Sequence, residues 1–174
     1  MKIHVGLNSK SISNAIQQIE QFKNDLLSKM ELFCTELAEV GIEVIQDNVK
    51  IEVDGEVRNF GDSVMFKKDM TETESEVSCL LVVTGNEFLK EWTTGSANVN
   101  PLLMAEFGSG AYAIGGAQGS FPKQTHAMHP PWYWTDMSGK MHRSYGNEPS
   151  RPLYKAKLEM EQQITEVAER VFKT

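Results

Sequence analysis

The feature that most limits what this chain can fold into is a run of apolar residues at helical spacing from Ile12 to Val44. Ile12, Ile16, Ile19, Leu26, Met30, Phe33, Leu37, Val40 and Val44 follow one another in threes, fours and a single seven, which is one face of a long helix. Gln18, Gln21, Asn24, Asp25, Glu36, Glu39 and Glu43 occupy the opposite face, so one side is solvated and the other must be covered. Ser11 or Ser13 is the expected N-cap. Gly41 marks a point where the helix ends or bends, because an internal glycine costs about 1 kcal/mol relative to alanine. The spacing departs from a strict heptad, which favours a helix packed on its own core over a coiled-coil partner helix. A 174-residue chain with 40% apolar residues has enough material for that core, and the expectation is one domain spanning residues 1–174.

Beyond the helix the period changes from 3.6 to 2. Ile51 and Val53 alternate with Glu52 and Asp54, Val64 and Phe66 flank Met65, and Val77 to Val83 is rich in β-formers. Two to four strands are expected, with turns at Gly55, Gly61 and Asp69 to Glu76, and 78–84 reads as a central strand because it is apolar on both faces. Residues 2–7 suggest a short first strand. Asn86 to Trp92 and Pro101 to Phe107 read as short helices, the second capped by Asn100 with Pro101 in its first turn. Gly108 to Lys123 is a glycine-rich loop. Pro131 to Met137 and Met141 to Ser144 form a hairpin across Ser138-Gly139. Leu153, Leu158, Ile164, Val167, Ala168 and Val171 define a final helix, with Asn147 or Ser150 near its cap and Pro152 in its first turn. The fold class is therefore α+β: a long N-terminal helix and a C-terminal helix packed on a mostly antiparallel sheet, with a long glycine-rich loop.

Charge and composition narrow the function. The net charge is -7, and residues 1–100 hold 9 basic against 17 acidic side chains while residues 101–174 hold 8 against 7. Such a balance disfavours sequence-specific nucleic-acid binding. The longest apolar stretch, Cys79 to Val83, is far short of the roughly 20 residues that span a bilayer, and Met1-Lys2-Ile3-His4 lacks a signal core. A protein made in the cytoplasm, with no membrane partner, is expected. Cys34 and Cys79 lie in apolar segments and read as small core residues, not as a disulfide or zinc site.

Candidate chemistry is thin. Gly108-Ser109-Gly110-Ala111-Tyr112-Ala113 fits the dinucleotide fingerprint formally, but the segment before it reads as helix and glycines interrupt the residues after it. His126, His129, Asp136 and His142 are close in sequence, yet no recognised ligand spacing joins them. No nucleophile elbow occurs. No catalytic residue, metal or cofactor is expected. Between Lys123 and Lys157, Lys123, Lys140, Arg143, Arg151, Lys155 and Lys157 interleave with Trp132, Tyr133, Trp134 and Tyr145. This composition suits single-stranded nucleic acid or, preferably, a protein interface against an acidic neighbour. The acidic first half of a second copy would provide one, closing a ring.

The second half resembles the bacteriophage head-tail joining or tail-completion proteins of siphophages, the gene-product-ten-like minor tail component family. Met104-Ala105-Glu106-Phe107-Gly108-Ser109-Gly110 is similar to the family's apolar-Glu-Phe-Gly-Thr/Ser-Gly segment, and a glycine-rich, His-Pro-containing loop follows it. Trp132-Tyr133-Trp134-Thr135-Asp136 with Gly139 comes next, then Gly146 to Ala156, similar to the family's lead-in to a C-terminal helix. The motifs cover about residues 100–172. Ser109 stands where Thr is common and Leu153 where Phe is common.

The resemblance implies a structural virion protein, not an enzyme, made in the bacterial cytoplasm and located at the virion neck. It would form a homo-oligomeric ring between the connector or head-completion proteins and the tail tube or tail terminator. Genome DNA would pass through the lumen without sequence-specific binding, helped by the acidic subunits. Glu106, Phe107, Gly108, Gly110, Trp132, Trp134, Arg151, Pro152 and Leu153 would then carry fold and subunit contacts. The competing reading is a small metal-dependent or nucleic-acid-processing enzyme using His126, His129, Asp136 and His142.

Overall fold

The computed structural model describes residues 6, 8–53, 56–92, 95–109, 112, 132–135 and 138–173. Its first element is one unbroken helix, α1 (Ser9–Asn48). The cap is Asn8, upstream of both Ser11 and Ser13: its Oδ1 accepts from Ser11 N at 2.8 Å. Ser11 is already inside the helix, where its Oγ accepts from Gly6 N at 2.7 Å. Gly41 does not end α1. A β-carbon there would meet Met160 Sδ at 2.8 Å, so the missing side chain allows the last helix to come close. The expected first strand at residues 2–7 lies outside the described residues apart from Gly6.

Four antiparallel hairpins come next. They pair β1 (Lys50–Val53) with β2 (Glu56–Asn59), β3 (Val64–Glu72) with β4 (Val77–Gly85), β5 (Phe88–Trp92) with β6 (Gly95–Val99), and β7 (Trp132–Thr135) with β8 (Met141–Ser144). A short 3-10 turn at Gly61–Ser63 leads into β3. Asn86 to Trp92 is thus not helical. Its backbone from Phe88 to Trp92 is instead paired in the Phe88↔Val99 to Trp92↔Gly95 ladder, a short segment gaining little from a helix nucleus of its own. Nor is β4 a central strand. It pairs only with β3 among the described residues, and its burial alternates. Val77 is buried on the side toward α1, while Leu80 remains 64% exposed on the other.

Two further helices are described. In α2 (Pro101–Phe107), Asn100 Oδ1 accepts from Leu103 N at 3.2 Å and its Nδ2 donates to Gly85 O, so one amide caps the helix and ties it to β4. The last helix, α3 (Pro152–Phe172), runs antiparallel to the C-terminal part of α1. Lys155 Nζ donates to Asn48 Oδ1 at one end of their contact. At the other, Arg170 pairs with Glu36 at 2.8 Å and the Phe33 and Phe172 rings lie 6.0 Å apart. The fold is α+β, as the sequence predicts, with small antiparallel sheets in place of one larger sheet.

The core forms where these elements converge on the end of α1. Ile45, Val49, Ile51, Val64, Leu102, Ala105 and Ala156 are buried together, with Val44, Phe60, Phe66, Val83, Met104 and Leu153 packed around them. The 3-10 turn fits tightly here: a β-carbon on Gly61 would collide with the Gln46 carbonyl. Ile45 lies 2% exposed in this cluster, so Ile45→Ala is expected to lower unfolding free energy by about 2–5 kcal/mol in urea titration.

Candidate functional site

The two motif segments singled out in the second half meet at the C-terminal end of α1. Glu106, on the last turn of α2, reaches the start of α3: its Oε2 accepts from Leu153 N at 2.7 Å. A helix N-terminus exposes unpaired N–H groups and partial positive charge, so a carboxylate is well matched to it. This cap comes from another element 47 positions away, not from Asn147 or Ser150. Arg151 holds the N-cap position in a left-handed conformation, φ 54°, with no side-chain cap bond of its own. Its backbone N donates to Ala105 O at 3.0 Å, which binds it to α2.

Asn147 and Ser109 join the same segments a few residues away. Ser109 N donates to Asn147 O at 2.9 Å, and Asn147 N is shared between Ser109 O at 3.2 Å and Ser109 Oγ at 2.9 Å. The Asn147 amide also bridges outward, accepting from Glu52 N at 2.5 Å while Nδ2 donates to Ser109 Oγ at 3.3 Å. Both residues are buried, so these bonds are shielded from water. Ser150 Oγ donates to Asn48 O at 2.6 Å, with Lys50 O and Ala105 O at 3.3 and 3.4 Å on either side. Gly108 lies between the two sets of bonds. Its φ of 73° and ψ of -179° suit glycine alone, and a β-carbon would come within 2.7 Å of Tyr112 O.

Four of the nine residues expected to carry fold and subunit contacts therefore face inward. Glu106, Gly108, Pro152 and Leu153 make intramolecular contacts, whereas Phe107 and Arg151 are exposed. Gly110 lies outside the described residues, and Trp132 and Trp134 are described only by their backbone pairing, with Ser144 and His142. Asn147, Ser150 and Ser109 belong to the same constellation with clearer roles. Their signal in the sequence is only their presence within the two motifs.

Arg151 and Lys155 face solvent along a shallow open groove of about 520 Å³, which Tyr112, Glu148, Tyr154 and Leu158 also line. Farther along the basic stretch, the Arg143 guanidinium lies 4.7 Å from the Tyr145 ring centroid. His126, His129 and Asp136 lie outside the described residues, and among those described no group of three or more His, Cys, Asp or Glu is arranged to hold a metal. The dinucleotide look-alike starts after a helix, α2, not after a strand, so the strand-to-helix turn that would cradle a pyrophosphate is missing. Cys34 and Cys79 are half-buried free thiols, not fully buried core residues. Burial raises the Cys34 thiol above its ordinary range, and Cys79 close by raises it further.

Replacing Glu106 with alanine is expected to cost about 1–3 kcal/mol in chemical denaturation, because the Leu153 N–H loses a charged acceptor. Glu106→Gln, which keeps an acceptor oxygen, should cost less. A raised thiol pKa leaves less thiolate at neutral pH, so Cys34 should react with iodoacetamide more slowly than a free cysteine. Its rate should keep rising with pH beyond the ordinary cysteine range, as peptide mass mapping would show.

No family model, curated protein or solved structure matches the chain.

Proposed function

We propose that the chain is a structural virion protein that joins a phage head connector to the tail, assembling as a ring at the neck through which DNA passes. The observation that carries this reading is the junction of the two resembling motifs. Met104 to Gly110 and Gly146 to Ala156 are some 40 positions apart, yet Glu106 and Ser109 of the first hold Leu153 and Asn147 of the second. Their joint occurrence is thereby one structural signature, not two independent matches of short segments.

The surface around this junction fits assembly. Arg151, Tyr154 and Lys155 are exposed along the groove and Phe107 is exposed at the end of α2, and aromatic and arginine side chains are typical anchors of protein interfaces. The acidic first half of a neighbouring copy would complement Arg151 and Lys155. No described helix is long and apolar enough to cross a membrane. A net charge of -7 on each copy favours a lumen that repels phosphates and lets DNA slide. The connector or head-completion protein on one side and the tail tube or terminator on the other would be the remaining partners.

Light scattering after size exclusion, across a concentration series with and without a chelator, tests the reading. The expected result is a closed ring of about six copies of the 19.5 kDa chain, unchanged by the chelator, as cyclic symmetry would give. The His126→Ala, His129→Ala, His142→Ala triple variant should assemble like the parent. A strictly monomeric protein that retains a metal, or a metal-dependent activity lost in the triple variant, would reject the proposal.

A further inference from the structure

We infer that the N-terminal half of α1 is a helix-pairing surface whose occupant is α1 of a second copy of this chain. The inference deepens the assembly reading and rests on its premise of self-association, not on a location at the neck. Contact between α1 and α3 ends near Phe33 and Phe172, so the stretch from Ser9 to Leu32 extends about 36 Å farther at 1.5 Å per residue. Along it Ile12, Ile16, Ile19, Phe22 and Leu26 are between 40% and 56% exposed. Scattered exposed apolar residues are ordinary, but these form one stripe at helical spacing.

The stripe continues a seam that is already used inside the molecule. Ile12, Ile19, Leu26, Phe33 and Val40 recur every seven residues, and so do Ile16, Met30, Leu37 and Val44, with Lys23 alone breaking the second series. The departure from a strict heptad is thus confined to Lys23. Where the seam passes Phe33 it meets Phe172 of α3, and above Phe33 the same pattern has no helix against it among the described residues. A surface with a seven-residue period is complemented by a helix of the same period, and each further copy of the chain brings one.

The flanking positions suit a second copy as well. In the parallel alignment that a cyclic assembly about an axis along α1 requires, Phe22 faces Leu27 and widens the seam with apolar area, Glu20 faces the already buried Ala15, and Lys23 faces Lys23 of the other copy as the one like-charged pair. A single lysine at an inward position fixes register at a cost in stability, and its long stem lets the ammonium reach water.

The test compares the full chain with an Ile16→Glu, Ile19→Glu double variant and with Lys23→Leu, measuring mass by sedimentation across a concentration series and unfolding by circular dichroism. The parent should exceed the 19.5 kDa monomer mass as concentration rises, and the double variant should stay at 19.5 kDa with its helix content retained. Lys23→Leu should associate at about tenfold lower concentration. A double variant that assembles like the parent overturns the inference and leaves the assembly reading standing. A parent that stays monomeric overturns both, including the case in which the double variant unfolds more easily because another part of the same chain covers the stripe. Unchanged or weaker association in Lys23→Leu also overturns the inference, even if the double variant does not fold.

Discussion

The carboxylate of Glu106 on the first turn of α3 is the contact on which the rest of the arrangement depends. It fixes where α3 starts, and from there α3 can lie along α1 only in the direction that brings Phe172 to Phe33. The neighbouring bonds reinforce it from both sides. Asn147 fastens β1 through Glu52, and Ser150 satisfies the Asn48 carbonyl at the open end of α1. These are links across 95 and 102 positions, so the loop-closure entropy is recovered only when the buried polar groups are all paired. The apolar cluster around Ile45 and Val49 forms under them.

Ion pairs are secondary to this. Arg58 with Glu56, Lys67 with Asp69, Lys157 with Glu161 and Lys173 with Glu169 are local and exposed, and such pairs add little to stability. Arg170 with Glu36 and Lys68 with Glu39 differ in joining separate elements, α3 and β3, to α1. The Glu36 and Glu39 side of α1 is thus partly engaged with the body of the fold. The apolar stripe of its N-terminal half is not covered by α3, because twenty-one residues of α3 cannot match forty of α1. The lower half of this seam serves the fold, and the upper half is the surface we propose for a neighbouring copy.

Much of the fold is legible because short-range physics decides it. The period of α1, the Asn100-Pro101 start of α2, Pro152 at the start of α3 and the hairpin across Ser138-Gly139 follow from side-chain spacing, capping and turn chemistry. Expectation and structure part where several local answers are close in energy. Phe88 to Trp92 could turn as a helix until a pairing strand is present, and Val77 to Val83 carries apolar residues on both faces whether one face or two is covered. Asn8, Ser11 and Ser13 are all good caps for α1, and only the start of the hydrogen-bonded turn separates them.

The candidate site is legible as residues but not as roles. Glu106, Gly108, Pro152 and Leu153 stand out in sequence, yet nothing local shows that a glutamate on one helix caps another 47 positions away. The sequence by itself determined α1, α2 and α3, the hairpin across Ser138-Gly139 and the acidic first half, since spacing, propensity and charge are properties of neighbours in the chain. Only the tertiary structure decided that Asn147 and Ser109 form a buried knot, that Gly41 makes room for Met160, and how far α3 reaches along α1. Those outcomes depend on distances between segments remote in sequence, and such distances are set only when the whole core closes.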